Sequence, residues 1–224
     1  MPTILSTKKL TEAQKELVLN SGVGLVHFDI LKITTQVLDQ NLTGDAIIIT
    51  SKNAIPALHE IEKKKPVFVV GTVTASLLNE FDIKHVANNA RDLAEHIINH
   101  HSELRFDYLC GDHRRDELPD LLRSKNIELK EQVAYRSAAV SKSFDRTFAA
   151  VLCYSPRGVL AFAKANSSKN NLEPSTIAVC IGNTTAATAQ DYFKNVIVAK
   201  KATVENVLVT AINALKNDQE RPVS

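Results

Sequence analysis

The sequence has no tryptophan, one methionine, three cysteines and only seven glycines in 224 residues. The shortage of glycine bears first on phosphate chemistry. Neither G-x-x-x-x-G-K-[ST] nor G-x-G-x-x-G occurs, and the nearest approach, Gly22 and Gly24 in SGVGLVH, precedes an apolar run instead of opening a helix. A nucleoside triphosphate or a dinucleotide is therefore a poor fit. No apolar run exceeds about half a dozen residues, so no segment reads as a membrane span and no membrane partner is expected. The opening MPTILSTKKL lacks the charged start, long apolar stretch and small-residue site of a secretory signal, and a cytoplasmic location is expected. Cys110, Cys153 and Cys180 fit that compartment: each sits in an apolar stretch, their number is odd and no CxxC occurs, so buried thiols are expected in place of a disulfide or metal site. An excess of either charge is also missing, with 27 basic against 25 acidic side chains. The basic residues are scattered, which argues against nucleic acid as a partner. Lys63 to Lys65, just before Pro66, read as a solvated helix end where cations suit the dipole. No G-x-S-x-G elbow appears, so covalent hydrolysis has no support.

What the chain does contain is alternation. TILS, GLVHF, AIIIT, VFVV, DYLC, AVLCY, TIAVCI and NVIVA are brief, apolar and mostly β-branched, as buried strands are. Between most of them lie stretches of helical period. TEAQKELVLNSG starts on Thr11 as an N-cap and stops at Gly22, and TVENVLVTAINALK starts on Thr203 with apolar positions three and four apart. Strand and helix in repeated alternation predict parallel sheets with helices on both faces, an α/β fold. The polar terminal segment KNDQERPVS is expected to fray.

Two stretches repeat one plan. ITSKNAIPAL followed by VVGTVTASLLNEF parallels CYSPRGVLAFA followed by CIGNTTAATAQDYF: strand, serine, helix, strand, glycine, helix. Ser51 and Ser155 each follow a strand, and Gly71 and Gly182 each follow the next. Those are carboxyl ends of parallel strands, where ligands bind in open α/β sheets. Strand-to-helix turns also favour Ser, Gly and Thr simply as caps. Five strands fall between Ala46 and about Lys130, two before and three after. Two doubly wound lobes of flavodoxin type follow: residues 1–33 with 140–224 as a discontinuous first lobe, and 36–132 as an inserted second. The crossings DILKITTQ and QVAYRSAAV, about 29–35 and 132–139, are expected to pair as a two-stranded hinge, with the Ser, Gly and Thr turns of both lobes facing a shared cleft. Amides and hydroxyls at such turns accept carboxylates as readily as phosphates.

Other constellations are weaker. His96 and His100, four apart in EHIINHH, fit a solvated histidine face better than a metal site, because no third ligand stands near. Arg114 and Arg115 in GDHRRDEL lie beside Asp112 and Asp116 and read chiefly as helix-start salt links, with ligand contact as the other use. Tyr135 lies on the return crossing beside the expected cleft, in a chain with four tyrosines. Half-buried packing is the bland account of it.

In their order and spacing, ITSKNAI, VVGTVTASLL, LCGDHRRDELPDLL, VAYRS, YSPRGVLAF, IGNTTAATA and ATVENVLVTAI resemble the uroporphyrinogen-III synthase family. The likeness spans nearly the whole chain and is weakest over the first 40 residues. It implies a lyase without metal or organic cofactor. That lyase cyclises the linear octacarboxylate hydroxymethylbilane to uroporphyrinogen III, with loss of water and inversion of the last pyrrole ring, on the route to haem. A monomer is expected. Ser51, Lys52 and Asn53 match the family's serine turn, Gly71 and Thr74 its glycine-threonine turn, Ser155, Arg157 and Gly158 its SPSG, and Gly182, Thr184 and Thr185 its IGptT. Tyr135 matches the tyrosine of its vYrt motif, and Arg115 the arginine after Gd. Arg157 stands where a small residue is usual and adds a carboxylate contact; Asn183 replaces proline; Lys8 stands where arginine is common, which weakens a bidentate contact. Two other classes remain open on the residues alone. One is a non-catalytic bilobed module binding a small polyanion, and the other a two-lobed transferase on a nucleotide sugar.

Overall fold

The computed structural model describes residues 1–38, 41–60, 64–166 and 173–219. Its strands are β1 (Thr3–Ser6), β2 (Gly24–His27), β3 (Leu31–Thr35), β4 (Ala46–Ile49), β5 (Val67–Val70), β6 (Ile83–Ala87), β7 (Phe106–Gly111), β8 (Leu129–Ala139), β9 (Ala150–Cys153), β10 (Ile177–Cys180) and β11 (Asn195–Val198). The helices are α1 (Glu12–Leu19), α2 (Thr72–Ser76), α3 (Ala90–His100), α4 (Glu117–Ser124), α5 (Pro156–Asn166), α6 (Asn183–Ala189) and α7 (Val204–Gln219), with a 3₁₀ helix at Lys52–Glu60. Two compact units result, one of Met1–Lys32 with Ala138–Ser224 and one of Ile33–Ser137. The chain passes between them within β3 and again within β8.

In the first unit the sheet order is β11-β10-β9-β1-β2, every neighbouring pair parallel. Counted along the chain this is 2-1-3-4-5, the flavodoxin order. Period-2 alternation sends Ala150 and Leu152 of β9 into one core with Ile4, Val207 and Leu208, and Val151 and Cys153 into the other with Val159 and Phe162. A sheet covered on both faces accounts for strands that read as unbroken apolar runs. Helix ends follow the sequence: Thr11 and Gln14 form a capping box on α1, Gly22 turns the chain at φ +76°, and Thr203 Oγ1 accepts from the Asn206 amide at 3.2 Å ahead of α7. Helix α7 continues through Gln219, and residues 220–224 of the polar terminal segment lie outside the described residues.

The second unit is ordered β3-β8-β7-β4-β5-β6. Without β3 its five strands run 3-2-1-4-5 along the chain, so the two units share the doubly wound plan but not the strand order. Ala46 and Ile48 of β4 face one core with Phe68, Phe106 and Leu93; Ile47 and Ile49 face the other with Val67, Val69 and Leu58. Strand β8 absorbs both the expected fifth strand and the return crossing. It runs eleven residues without a break, because β7 offers it ladder partners from Leu129 to Tyr135.

Three local expectations change. The helix after Ser51 is 3₁₀, with Pro56 inside it and without the amide an α-helix would use there. Of the three lysines, Lys63 lies outside the described residues, and Lys65 is not solvated: its ammonium donates to the carbonyls of Leu42, at 2.7 Å, and Gly44. The histidine face is solvated only at the exposed His100. His96 on α3 stacks flat on His85 of β6, centroids 3.5 Å apart, and leans on the buried Phe68. Burial, and then the neighbouring His85, His100 and His101, lower the pKa of His96 below its ordinary 6.5.

A pH dependence follows. The unfolded chain takes up the His96 proton near 6.5 while the folded chain resists it, so this stability is intact above about pH 6.5 and is lost as pH falls below it. Urea midpoints measured between pH 5 and 8 are expected to fall on the acid side of 6.5, and His96→Gln to flatten that slope. An unchanged slope in the variant would show that the stacked pair does not set it.

Candidate functional site

Both sheets change winding direction once, between β1 and β9 in the first unit and between β4 and β7 in the second. In open α/β sheets the crevice outside the carboxyl ends of strands at such a point is where ligands bind.

In the first unit β1 ends at Ser6, β9 at Cys153 and β10 at Cys180, and three turns follow. Exposed Lys8 comes after Ser6, whose hydroxyl donates to the Lys8 carbonyl at 2.6 Å. Ser155 caps α5, its Oγ accepting the Gly158 amide at 3.0 Å. Gly158 is confined: a Cβ there would stand 3.2 Å from Ser155 Oγ and 3.4 Å from Ile30 Cγ2. Arg157 is half-buried in the first turn of α5. Gly182, extended at φ −172°, precedes α6 in open space, with no heavy atom within 4 Å of an added Cβ. Thr184 is exposed, whereas Thr185 is only 2% exposed, so a ligand at this turn meets the amides and Thr184 first. Neighbouring register positions Cys153 and Cys180 carry free buried thiols.

The second unit places its turns in the same relation. Ser51 follows β4, its Oγ accepting the Asn53 amide at 3.3 Å, with Lys52 exposed and Asn53 half-buried. Gly71 follows β5 at φ +86°, a left-handed conformation that requires glycine, and Thr74 Oγ1 curls to 4.0 Å from where its Cβ would be. Helix α2 has five residues and α6 seven, so neither presents a full macrodipole and the donors are individual amides and hydroxyls.

Tyr135 is set by its neighbours. The β7–β8 ladder pairs Cys110 with Val133 and then Gly111 with Tyr135, so Ala134 bulges. A bulge re-aims the side chain that follows it. The Tyr135 ring then lies across Gly111, where an added Cβ would be 2.6 Å from Cζ and 2.8 Å from the phenol oxygen. Tyr135, Gly111, Thr50, Ser51, Tyr108 and Arg115 line a recess of about 220 Å³. Arg114 also lines the recess, but its guanidinium is engaged as a structural cation that bridges Glu131 and Asp116, as the salt-link reading of GDHRRDEL expects. Arg115 reaches the recess rim exposed. A larger hollow of about 640 Å³ lies by Ile177 and Asn195, at the amino ends of β10 and β11. It contains none of the expected residues and is on the wrong side of the sheet for this fold class.

Sequence reasoning missed one pair in each unit. Thr50 Oγ1 and Tyr108 Oη are 2.9 Å apart, and Ser6 Oγ and Tyr154 Oη 3.2 Å. Burial pushes both phenols up to about 12. The available signal was a tyrosine inside a buried run, DYLC and AVLCY, since a buried phenol needs a partner. Among the described residues no group of three or more His, Cys, Asp or Glu is placed to hold a metal ion, and no helix is long and apolar enough to cross a membrane.

A family model described as Uroporphyrinogen-III synthase HemD matches residues 12–208. The uroporphyrinogen-III synthase of Saccharomyces cerevisiae is 31% identical over 183 residues, which cover 64% of this chain and 66% of that protein. The porphyrin biosynthesis protein HemD of Ruminiclostridium josui is 25% identical over 190 residues, 72% of this chain and 36% of that protein. Among solved structures, the uroporphyrinogen-III synthetase of Helicobacter pylori superposes with a TM-score of 0.72 at 20% identity, covering 96% of this chain and all of that one. A mutant uroporphyrinogen III synthase of Thermus thermophilus gives 0.61 at 14% identity, covering 97% of this chain and 100% of that one. At those identities the structures speak to the fold alone.

Proposed function

Because the chain belongs to the uroporphyrinogen-III synthase family, we propose that it is a lyase of haem biosynthesis that cyclises hydroxymethylbilane to uroporphyrinogen III. The observation that carries this reading is the family match over residues 12–208. The Tyr135 recess at a switch point supports it from the geometry. Lys8, Ser155, Arg157, Gly182 and Thr184 of the first unit, with Ser51, Lys52 and Asn53 of the second, supply donors to the substrate's carboxylates, while buried Thr185 and Thr74 and the amides of Gly158 and Gly71, bonded to Ser155 Oγ and the Ala87 carbonyl, shape the turns. Exposed amides and hydroxyls suffice for a polyanion that must also leave as product. The enzyme works as a monomer in the cytoplasm, and three buried thiols outside any disulfide are in keeping with that compartment.

The electron-rich pyrrole expels its own hydroxyl: the C–O bond breaks with its electron pair going to oxygen, and a proton completes the water. Tyr135 donates the hydrogen bond, or the proton, to that oxygen. The azafulvene that remains is attacked by the substituted carbon of the last ring, and the spiro intermediate fragments and recloses with that ring inverted. Free substrate closes without inversion, so the protein's larger task is to hold the ends in the geometry that disfavours direct closure.

The test supplies freshly generated hydroxymethylbilane, oxidises the products and separates isomers by chromatography. Type III is expected to predominate. Type I alone would leave a non-catalytic polyanion-binding module as the better reading. Tyr135→Phe is expected to lower kcat about 10-fold, below the ~10²-fold floor usual for a general acid because the substrate drives its own ionisation. Unchanged kcat would remove Tyr135 from the chemistry.

A further inference from the structure

We propose that Tyr108 is a second phenolic donor to the substrate group received in the Tyr135 recess, held in place by Thr50. The proposal rests on the function inferred above and assigns that function a residue outside the sequence motifs. Two hydroxyls carry two protons, and the bond of 2.9 Å between Thr50 Oγ1 and Tyr108 Oη uses one. Neither hydroxyl has another hydrogen-bond partner among the described residues, and both side chains line the recess. One proton of the pair is therefore left to point into the space beside Tyr135.

The matching pair in the first unit shows what a purely structural version looks like. Ser6 Oγ donates to the Lys8 carbonyl at 2.6 Å, so it can only accept from Tyr154 Oη at 3.2 Å. Both protons are consumed within the protein. Thr50 and Tyr108 lack that closing acceptor, although they too bridge the strand pair where the sheet changes direction. A buried donor without an acceptor is costly, and it persists where a ligand or ordered water completes it.

The size of the recess says how much of the substrate it meets. About 220 Å³ is the volume of about seven waters, too little for a whole tetrapyrrole and enough for one side arm or the leaving oxygen with its ring edge. Tyr108 is 3% exposed, and burial pushes its pKa up to about 12, so it stays a neutral donor over the working pH range. Two phenols directed at one small space make each a partial substitute for the other.

That redundancy is what the experiment reads. Tyr108→Phe, Tyr135→Phe and the double variant keep both rings and remove only the oxygens. Tyr108→Phe is expected to lower kcat/KM about 3-fold with an unchanged melting temperature. The double variant is expected to fall by more than the product of the two singles. Affinity for uroporphyrin III, followed by quenching of porphyrin fluorescence, is expected to weaken about 3-fold in Tyr108→Phe. Singles that simply multiply, or a Tyr108→Phe variant unchanged in both kcat/KM and affinity, would overturn the proposal; a merely structural Tyr108 would lower melting and leave no coupling to Tyr135. If the unaltered chain forms no type III isomer, the functional reading fails, and the porphyrin affinity of Tyr108→Phe then decides the donor by itself.

Discussion

Gly111→Ala is expected to cut kcat/KM for type III formation about 100-fold while leaving the protein folded. A Cβ at this position would stand 2.6 to 2.8 Å from three atoms of the Tyr135 ring. Ordinary contact requires a displacement of about 1 Å, and a shift of that size at a positioned group costs up to ~10²-fold. The ring is the end of a side chain, so it gives way before the β7–β8 ladder does; the expected change in melting temperature is a few degrees. The loss exceeds that of Tyr135→Phe because the displaced ring also fills the recess shared with Tyr108. Tyr135→Ala provides the control. In that background the space is vacant, so Gly111→Ala should cost less than 3-fold more. A full 100-fold loss there would show that the glycine acts through the backbone and not as the seat of the tyrosine.

Local chemistry was legible in the sequence wherever one element holds all the partners. The runs AIIIT and VFVV read as buried strands because both faces of β4 and β5 pack on core. Strand β6, IKHVA, is an edge strand with alternating exposure, and a search for apolar runs passes over it. The Ser51, Gly71, Ser155 and Gly182 turns were visible because cap and helix adjoin. Partnerships across the fold were not. Tyr108 and Thr50 are 58 residues apart in the chain; His85 and His96 sit on different elements; the Ala134 bulge that turns Tyr135 over Gly111 depends on the register of a neighbouring strand. Those are properties of strand order, which composition and periodicity do not encode. Strand order also separates the two units, 2-1-3-4-5 against 3-2-1-4-5, although the repeated strand-serine-helix-strand-glycine plan reads alike in both.

Phe68→Ala should be the most destabilising single substitution in the second unit, by about 3–5 kcal/mol, a large share of the ~5–15 kcal/mol that holds a domain folded. Phe68 is wholly buried and meets Phe106 edge-on at 5.4 Å and His101 at 4.9 Å. Truncation removes this aromatic contact and leaves a cavity between β5, β7 and α3 that rigid strands cannot close. Urea denaturation should show the midpoint falling with the slope unchanged. Turnover per folded molecule should hold, since Phe68 does not line the Tyr135 recess, and this separates it from Gly111→Ala. The acid-side loss of stability should also shrink. His96 leans on Phe68 at 6.5 Å, so removing the ring rehydrates the imidazole, returns its pKa toward the ordinary value and narrows the window in which folded and unfolded chains differ in bound protons. A loss below about 1 kcal/mol would mean that α3 settles into the gap, and His96 would then be held by its stack on His85 without Phe68.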